Sequence, residues 1–177
     1  MAENADELVA RVVAPGAVEP ADVMGVTMQW LTLPEEGEGA PCVLRAMLPP
    51  GLVVPLHSHA DPETFVPLEG AFEGLSVSAA GHTWVKIAPG DVFHIPGDAH
   101  HALRNASGDR AVTVLVTTPR MGRFFTEVST PAVAGAPPSP PSAETVRRFL
   151  ETAARYGYWN GGPEENERLG ITLPSVP

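Results

Sequence analysis

Apolar and polar residues alternate in short runs along the first two thirds of the chain, as in Val26, Met28 and Trp30. A period of two places apolar side chains on one face of a β-strand. Pairs of glycine, proline and small polar residues end most of these runs, and such residues favour turns. Many short strands separated by turns indicate a sandwich or a barrel. The predicted strands are residues 23–33, 42–48, 53–59, 63–68, 72–78, 83–87, 92–95, 100–105 and 112–117.

The pattern changes after Pro119. The segment MGRFFTEVSTP, residues 121–131, predicts either a strand or a packed irregular segment. Farther on, the period becomes helical, which predicts a helix over 142–156, outside the barrel, that docks its apolar face on the strands. Ser142 is the expected N-cap and Gly157 the expected C-cap. The residues of the apolar face are Val146, Phe149, Leu150 and Ala153.

The chain of 177 residues is long enough for one domain with a sizeable core. We divide it into a leader (1–22), a barrel (23–130), a proline-rich linker (131–141) and a C-terminal helix with an irregular tail (142–177). Within the leader, Glu7 to Val13 predicts a short strand or helix. The linker should be extended, because proline favours the polyproline conformation.

Composition removes several classes of function. The net charge of −10 makes nucleic acid a poor partner, since phosphate binding needs clustered Lys and Arg. The single cysteine, Cys42, excludes an intramolecular disulfide and fits a reducing compartment. No apolar run is long enough for a bilayer, so no membrane partner is expected. The N-terminus lacks the basic-then-apolar pattern of a secretory signal, and a cytoplasmic location is the expectation.

The segment from Gly51 to Gly70 holds the candidate chemistry. His57 and His59 alternate on a predicted strand, so their side chains should lie on one face. Glu63 follows a turn-prone Ala-Asp-Pro sequence that can return its carboxylate to them. Two imidazoles and one carboxylate form a known ligand set for divalent metals. The alternative is a surface loop with two solvated histidines and an acid at a strand edge.

The flanking residues resemble the first motif of the cupin family, in which glycine, two histidines, glutamate and glycine stand at fixed offsets. A second motif of the family follows at the expected place, and the resemblance covers about residues 40–118. The chain departs from the family at Asp98, where glycine is usual, and has Gly97 one place earlier; this departure concerns turn geometry. The residues of the two motifs are Gly51, His57, His59, Glu63, Gly70, Gly90, Pro96, His101 and Asn105.

The cupin resemblance implies a fold, a cofactor and an assembly. The fold is all-β, a double-stranded β-helix (jelly-roll) barrel with a C-terminal α-helix. The metal ligands are His57, His59, Glu63 and His101, around one divalent transition metal: Fe, Mn, Ni, Cu or Zn. Four protein ligands leave open positions on an octahedral ion. The helix ending in ARYG resembles one in small bacterial quercetinase-like cupins. Cupins commonly dimerise through their sheets, so a homodimer is expected, with residues 23–33 as an edge strand.

Three functions are compatible with the sequence. The first is a metal-dependent, dioxygenase-like oxidoreductase acting on a small organic molecule, with Glu63 as a catalytic base. The second is an isomerase or hydrolase that uses the ion as a Lewis acid. The third is a non-catalytic protein that binds a small molecule or a metal. Fold alone does not choose between them.

The remaining histidines and two aspartates have separate expectations. On a strand, His100 should face away from His101. His94 should be a hydrogen-bonded structural residue or line the barrel, and His82 should be solvated. Asp61 and Asp98 are expected to serve turns by bonding their own backbone.

Overall fold

The protein is described by a computed structural model, which covers residues 10–36, 39–132 and 141–172. Two antiparallel sheets pack their apolar faces together and enclose the main core, as predicted for the barrel. Within these residues the strands are β1 (Ala21–Val23), β2 (Val26–Trp30), β3 (Cys42–Leu48), β4 (Val53–Ser58), β5 (Glu63–Glu69), β6 (Phe72–Ser78), β7 (Gly81–Ile87), β8 (Phe93–Ile95), β9 (His101–Arg104), β10 (Ala111–Thr117), β11 (Thr130–Pro131) and β12 (Trp159–Asn160).

The larger sheet has the strand order β11-β1-β2-β3-β10-β5-β8, and the smaller has β12-β4-β9-β6-β7. The period of two explains the packing. In β3, Cys42, Leu44, Ala46 and Leu48 are buried while the residues between them are partly exposed. The all-β prediction is confirmed, and the strands predicted over 42–48 and 72–78 have the observed bounds.

The predicted strand 23–33 is wrong in its bounds. It contains a tight turn at Met24 and Gly25, whose φ angles are 53° and 92°, and this turn joins β1 to β2. Strand β2 pairs with β1 on one side and β3 on the other, so it is not a sheet edge. The homodimer itself stays a prediction.

The segment after β10 is a helix, α1 (Pro119–Val128), and the expectation of a strand or an irregular segment is wrong. Thr118 caps this helix, because its hydroxyl accepts a hydrogen bond from the Met121 N–H, and Pro119 is favourable at the first helical position. Its buried residues recur at helical spacing: Met121, Phe124, Phe125 and Val128.

The C-terminal helix, α2 (Ala143–Arg155), is confirmed together with its N-cap Ser142. Gly157 follows it with φ 70°, and the amide of Tyr158 donates to the carbonyl of Ala153, as in a Schellman cap. Helix α2 packs on α1, where the rings of Phe124 and Phe149 have centroids 5.5 Å apart.

Residues 159–168 after α2 include regular secondary structure, contrary to the irregular tail that we expected over 158–177. Strand β12 pairs with β4, and helix α3 (Pro163–Arg168) follows it. Buried Asn166 fixes this segment, since its Oδ1 accepts from the Leu56 N–H at 2.9 Å. Its amide group also donates to the carbonyls of Gly161 and Gly162.

Some expectations lie outside the described residues. They concern the start of the leader (1–9), part of the loop after β2 (37–38), most of the proline-rich linker (133–140) and the last five residues (173–177). Residues 10–13 of the leader form neither strand nor helix, and a short 3-10 turn, Pro15–Ala17, follows. Among the helices of the described ranges, none is both long and apolar enough to cross a membrane.

Candidate metal centre

Four side chains from different parts of the barrel meet at one point. His57 comes from β4, His59 from the residue after the end of β4, Glu63 from the start of β5 and His101 from the start of β9. Each offers one ligand atom, and all four atoms lie within 4.8 Å of one another. Two ligand atoms on opposite sides of one ion are about 4 Å apart, so the cluster needs only a small contraction to hold a metal.

Backbone carbonyls fix the orientation of the three imidazoles. The Nδ1 atoms of His57, His59 and His101 lie 2.8, 2.7 and 2.8 Å from the carbonyl oxygens of Pro55, Asp61 and Ala99, respectively. A carbonyl can only accept, so each Nδ1 must carry the hydrogen. In the neutral ring, the lone pair is then on Nε2. These carbonyls are the second partners that the sequence could not identify.

The Nε2 atoms of His59 and His101 are buried and have no hydrogen-bond partner among the described residues. They lie 3.5 and 3.3 Å from Glu63 Oε2, which is electrostatic contact without hydrogen-bond geometry. A cation placed between two buried lone pairs and a buried carboxylate would satisfy all three groups at once. The donor set therefore suits a metal ion.

Electrostatics agree with this interpretation. Burial, helped by the neighbouring His101, lowers the pKa of His57 to about 3, so its ring is neutral and able to ligate at neutral pH. Burial also opposes ionisation of Glu63, but the contacts with His101 and His59 outweigh it and hold the Glu63 pKa well below its usual range. Burial acts against protonation of His59, yet Glu63 raises the His59 pKa overall. The ionised carboxylate of Glu63 therefore stabilises positive charge in the site.

Asp61 does not serve a local turn with its side chain, and that expectation is wrong. Its carboxylate is buried and accepts hydrogen bonds from Thr118 Oγ1 (2.5 Å), Arg120 Nη1 (2.6 Å) and Tyr158 OH (2.8 Å). Burial raises its pKa, but these donors outweigh burial and lower it overall. Because the Asp61 carbonyl accepts from His59, this network ties α1 and the C-terminal segment to a metal-site residue.

The other histidines lie away from the cluster. His100 is exposed and stacks on Trp159, with centroids 4.4 Å apart, so it faces away from His101 as expected. His94 is exposed and hydrogen-bonded to Thr64 Oγ1 at 2.9 Å, and thus does not line the barrel. His82 is exposed on β7, as expected.

Asn105 of the second motif is buried, and its amide nitrogen donates to the carbonyls of Leu48 and Asp109.

The turn that departs from the family pattern also supports His59. The Asp98 N–H donates to the His59 carbonyl at 2.7 Å, and Asp98 has φ 64°. Aspartate tolerates this left-handed conformation better than most residues, so it can stand where glycine is usual. Gly97 needs to be glycine for another reason, because a Cβ there would lie 2.4 Å from the Ala60 carbonyl oxygen.

We expect Gly97→Ala to lower the free energy of unfolding by about 1–3 kcal/mol, since the added methyl forces the Ala60 turn away. Asp98→Gly should leave stability unchanged within about 1 kcal/mol or raise it, because glycine adopts the left-handed conformation without strain. Urea denaturation of both variants measures the difference. Equal loss of stability in the two would contradict this account of the turn.

Comparison with known proteins agrees with the two motifs and the fold. Residues 44–118 match the family model described as a cupin domain. No curated protein sequence matches the chain. The polyketide cyclase RemF of Streptomyces resistomycificus is 19% identical, with 62% of this chain and 79% of that chain covered and a TM-score of 0.52.

Two further solved structures have similar values. A predicted oxalate decarboxylase from Thermotoga maritima is 24% identical (61% and 98% covered, TM-score 0.51). A sugar phosphate isomerase from a cupin superfamily, from Silicibacter pomeroyi, is 23% identical (61% and 75% covered, TM-score 0.50). At these identities the likeness concerns the fold alone. With the strand order, the two motifs and the matching family model, it identifies residues 44–118 of this chain as a small cupin domain.

Proposed function

We propose that this protein is a metal-dependent oxidoreductase of the dioxygenase type that acts on a small organic molecule. One observation carries the proposal: the Nε2 atoms of His59 and His101 are buried without a hydrogen-bond partner in the described chain and face an ionised carboxylate. Three imidazoles and one carboxylate suit a divalent transition metal such as Fe, Mn, Ni, Cu or Zn.

His57, His59, Glu63 and His101 would hold the ion. A redox-active ion with open positions would supply the chemistry that joins a substrate to dioxygen. The chain's own contribution is orientation, since the carbonyls that accept from the three Nδ1 atoms keep the rings in place. Glu63 Oε2 faces the two Nε2 atoms and would ligate the ion, so Oε1 is the atom that we propose to hold a proton in transit; Glu63 also lines the adjoining cavity.

The test is metal analysis of protein purified without chelator and without added metal. Bound iron, or another redox-active metal, is the expected result. Zinc as the sole metal would favour the isomerase or hydrolase alternative, in which the ion acts as a Lewis acid. Absence of any metal, combined with failure to take up Fe(II) anaerobically, would overturn the proposal.

A second measurement separates oxygen chemistry from simple metal storage. Nitric oxide, a stable analogue of dioxygen, is added anaerobically to the Fe(II)-loaded protein. An open position on the metal should give the half-integer-spin electron paramagnetic resonance signal of an iron–nitrosyl. A silent spectrum from protein that contains iron would show a closed site and would support the non-catalytic binding alternative.

A further inference from the structure

A cavity of about 510 Å³ adjoins the metal cluster. His57, His59 and Glu63 line one end of it. The rest is bounded by the barrel interior, α1 and the face of α2 that the sequence marked as apolar. Its volume is in the range of cavities that bind small molecules. The apolar face of α2 was expected to dock on the strands; instead it packs on α1 and forms a wall of the cavity.

Most of the described residues that line the cavity are apolar, and few of them carry an ionisable side chain. Glu63 is the sole ionisable carboxylate among its described lining residues, and none of those residues is a lysine or an arginine. The hydroxyl of Tyr158, another lining residue, already donates to Asp61. Arg120 is directed at Asp61 and at the Tyr156 carbonyl. A second anionic group on a ligand would thus be buried beside apolar carbon with no cation to pair with it, which is costly.

We infer that this cavity takes an uncharged, mainly hydrocarbon small molecule whose one polar end points at the metal cluster. The inference rests on the proposed function, and it names the class of substrate for that same site. Dicarboxylates, and phosphate esters whose phosphate would lie away from the metal cluster, are disfavoured as substrates, because the apolar walls cannot compensate that charge. Burial of hydrocarbon against those walls supplies the binding free energy, at about 25 cal/mol per Å² of apolar surface.

Leu150 gives a direct way to test the cavity. It lies on the α2 face, lines the cavity and is 46% exposed, so a polar residue is tolerated there for folding. Leu68 on β5 is a matched control, because it is 47% exposed and does not line the cavity. Leu150→Glu places a carboxylate at the cavity wall, and Leu68→Glu places the same group elsewhere on the surface.

The probe is phenylnaphthylamine, an uncharged hydrocarbon fluorophore, titrated into the protein as purified. We expect saturable binding with fluorescence enhancement, and displacement by decanol at concentrations at least about tenfold lower than by oxalate or a hexose phosphate, a difference of about 1.4 kcal/mol. Leu150→Glu should raise the dissociation constant of the probe at least about tenfold, and Leu68→Glu should leave it unchanged. Circular dichroism confirms that both variants retain the fold.

Displacement by oxalate or the hexose phosphate as effective as that by decanol would overturn the inference, and so would equal probe affinity in the two variants. The metal analysis is independent of this readout. Protein that binds metal but not the probe contradicts the substrate class alone. Protein that binds the probe in this cavity but takes up no metal contradicts the proposed function and leaves the ligand class of the cavity standing.

Discussion

Replacing His101 with alanine is expected to weaken metal binding by more than about 100-fold. Loss of a group that merely orients a metal ligand already costs about 10–100-fold, so removal of the ligand itself should cost more. His101 is 2% exposed and lies opposite His57 in the β4–β9 pair, which leaves little room for another side chain to replace it. The barrel should still fold, since its core is apolar and built from other residues.

Metal content per chain, measured after identical purification and dialysis, tests this expectation. Wild-type protein and His82→Ala should each retain about one ion per chain, because His82 is exposed on β7, an edge strand that β6 separates from β9. His101→Ala should retain almost none, with an unchanged circular dichroism spectrum. Equal metal content per chain in all three proteins would contradict the assignment of His101 as a metal ligand.

Replacing Asp61 with alanine should lower the free energy of unfolding by about 3 kcal/mol. Removal of one partner from a buried ion pair costs about 3–5 kcal/mol, and the lower end applies here because the Arg120 side chain is 43% exposed and can turn to water. The buried hydroxyl of Tyr158 cannot do so and loses its acceptor. Chemical denaturation followed by fluorescence gives the change.

The control is another carboxylate that pairs with an arginine, but at the surface. Glu69 lies 3.3 Å from Arg110, and the two side chains are 52% and 63% exposed. Glu69→Ala should therefore cost less than about 1 kcal/mol. If Glu69→Ala and Asp61→Ala lowered the free energy of unfolding by similar amounts, burial of the Asp61 ion pair would contribute nothing to stability.

The sequence predicted the barrel strands and part of the cluster from short-range patterns. Alternation in β3 requires only the period of two, and the pair His57 and His59 requires only that period and the end of a strand. His101 could be assigned from its place in a family motif. The structure brings all four predicted residues together, and whether they bind a metal stays a prediction.

Other features depended on long-range contacts that leave little trace in sequence. The carbonyls of Pro55, Asp61 and Ala99 that orient the imidazoles belong to the backbone, so residue type does not mark them. The partners of Asp61 come from residues as distant as Tyr158. Helix α1, in contrast, could have been predicted from the sequence. The residues that it buries recur at helical spacing after a threonine–proline cap.

The pairing of β12 with β4 places a late-synthesised part of the chain beside the candidate metal site. A ribosome synthesises all four candidate metal ligands before it reaches Trp159 and Asn160, and these two residues pair with Ser58 and His57. A nascent chain ending at residue 130 would carry every candidate ligand, but β4 would lack the neighbouring strand β12 and Asp61 would lack the Tyr158 hydroxyl. The surroundings of the metal site are thus completed by a late part of the chain.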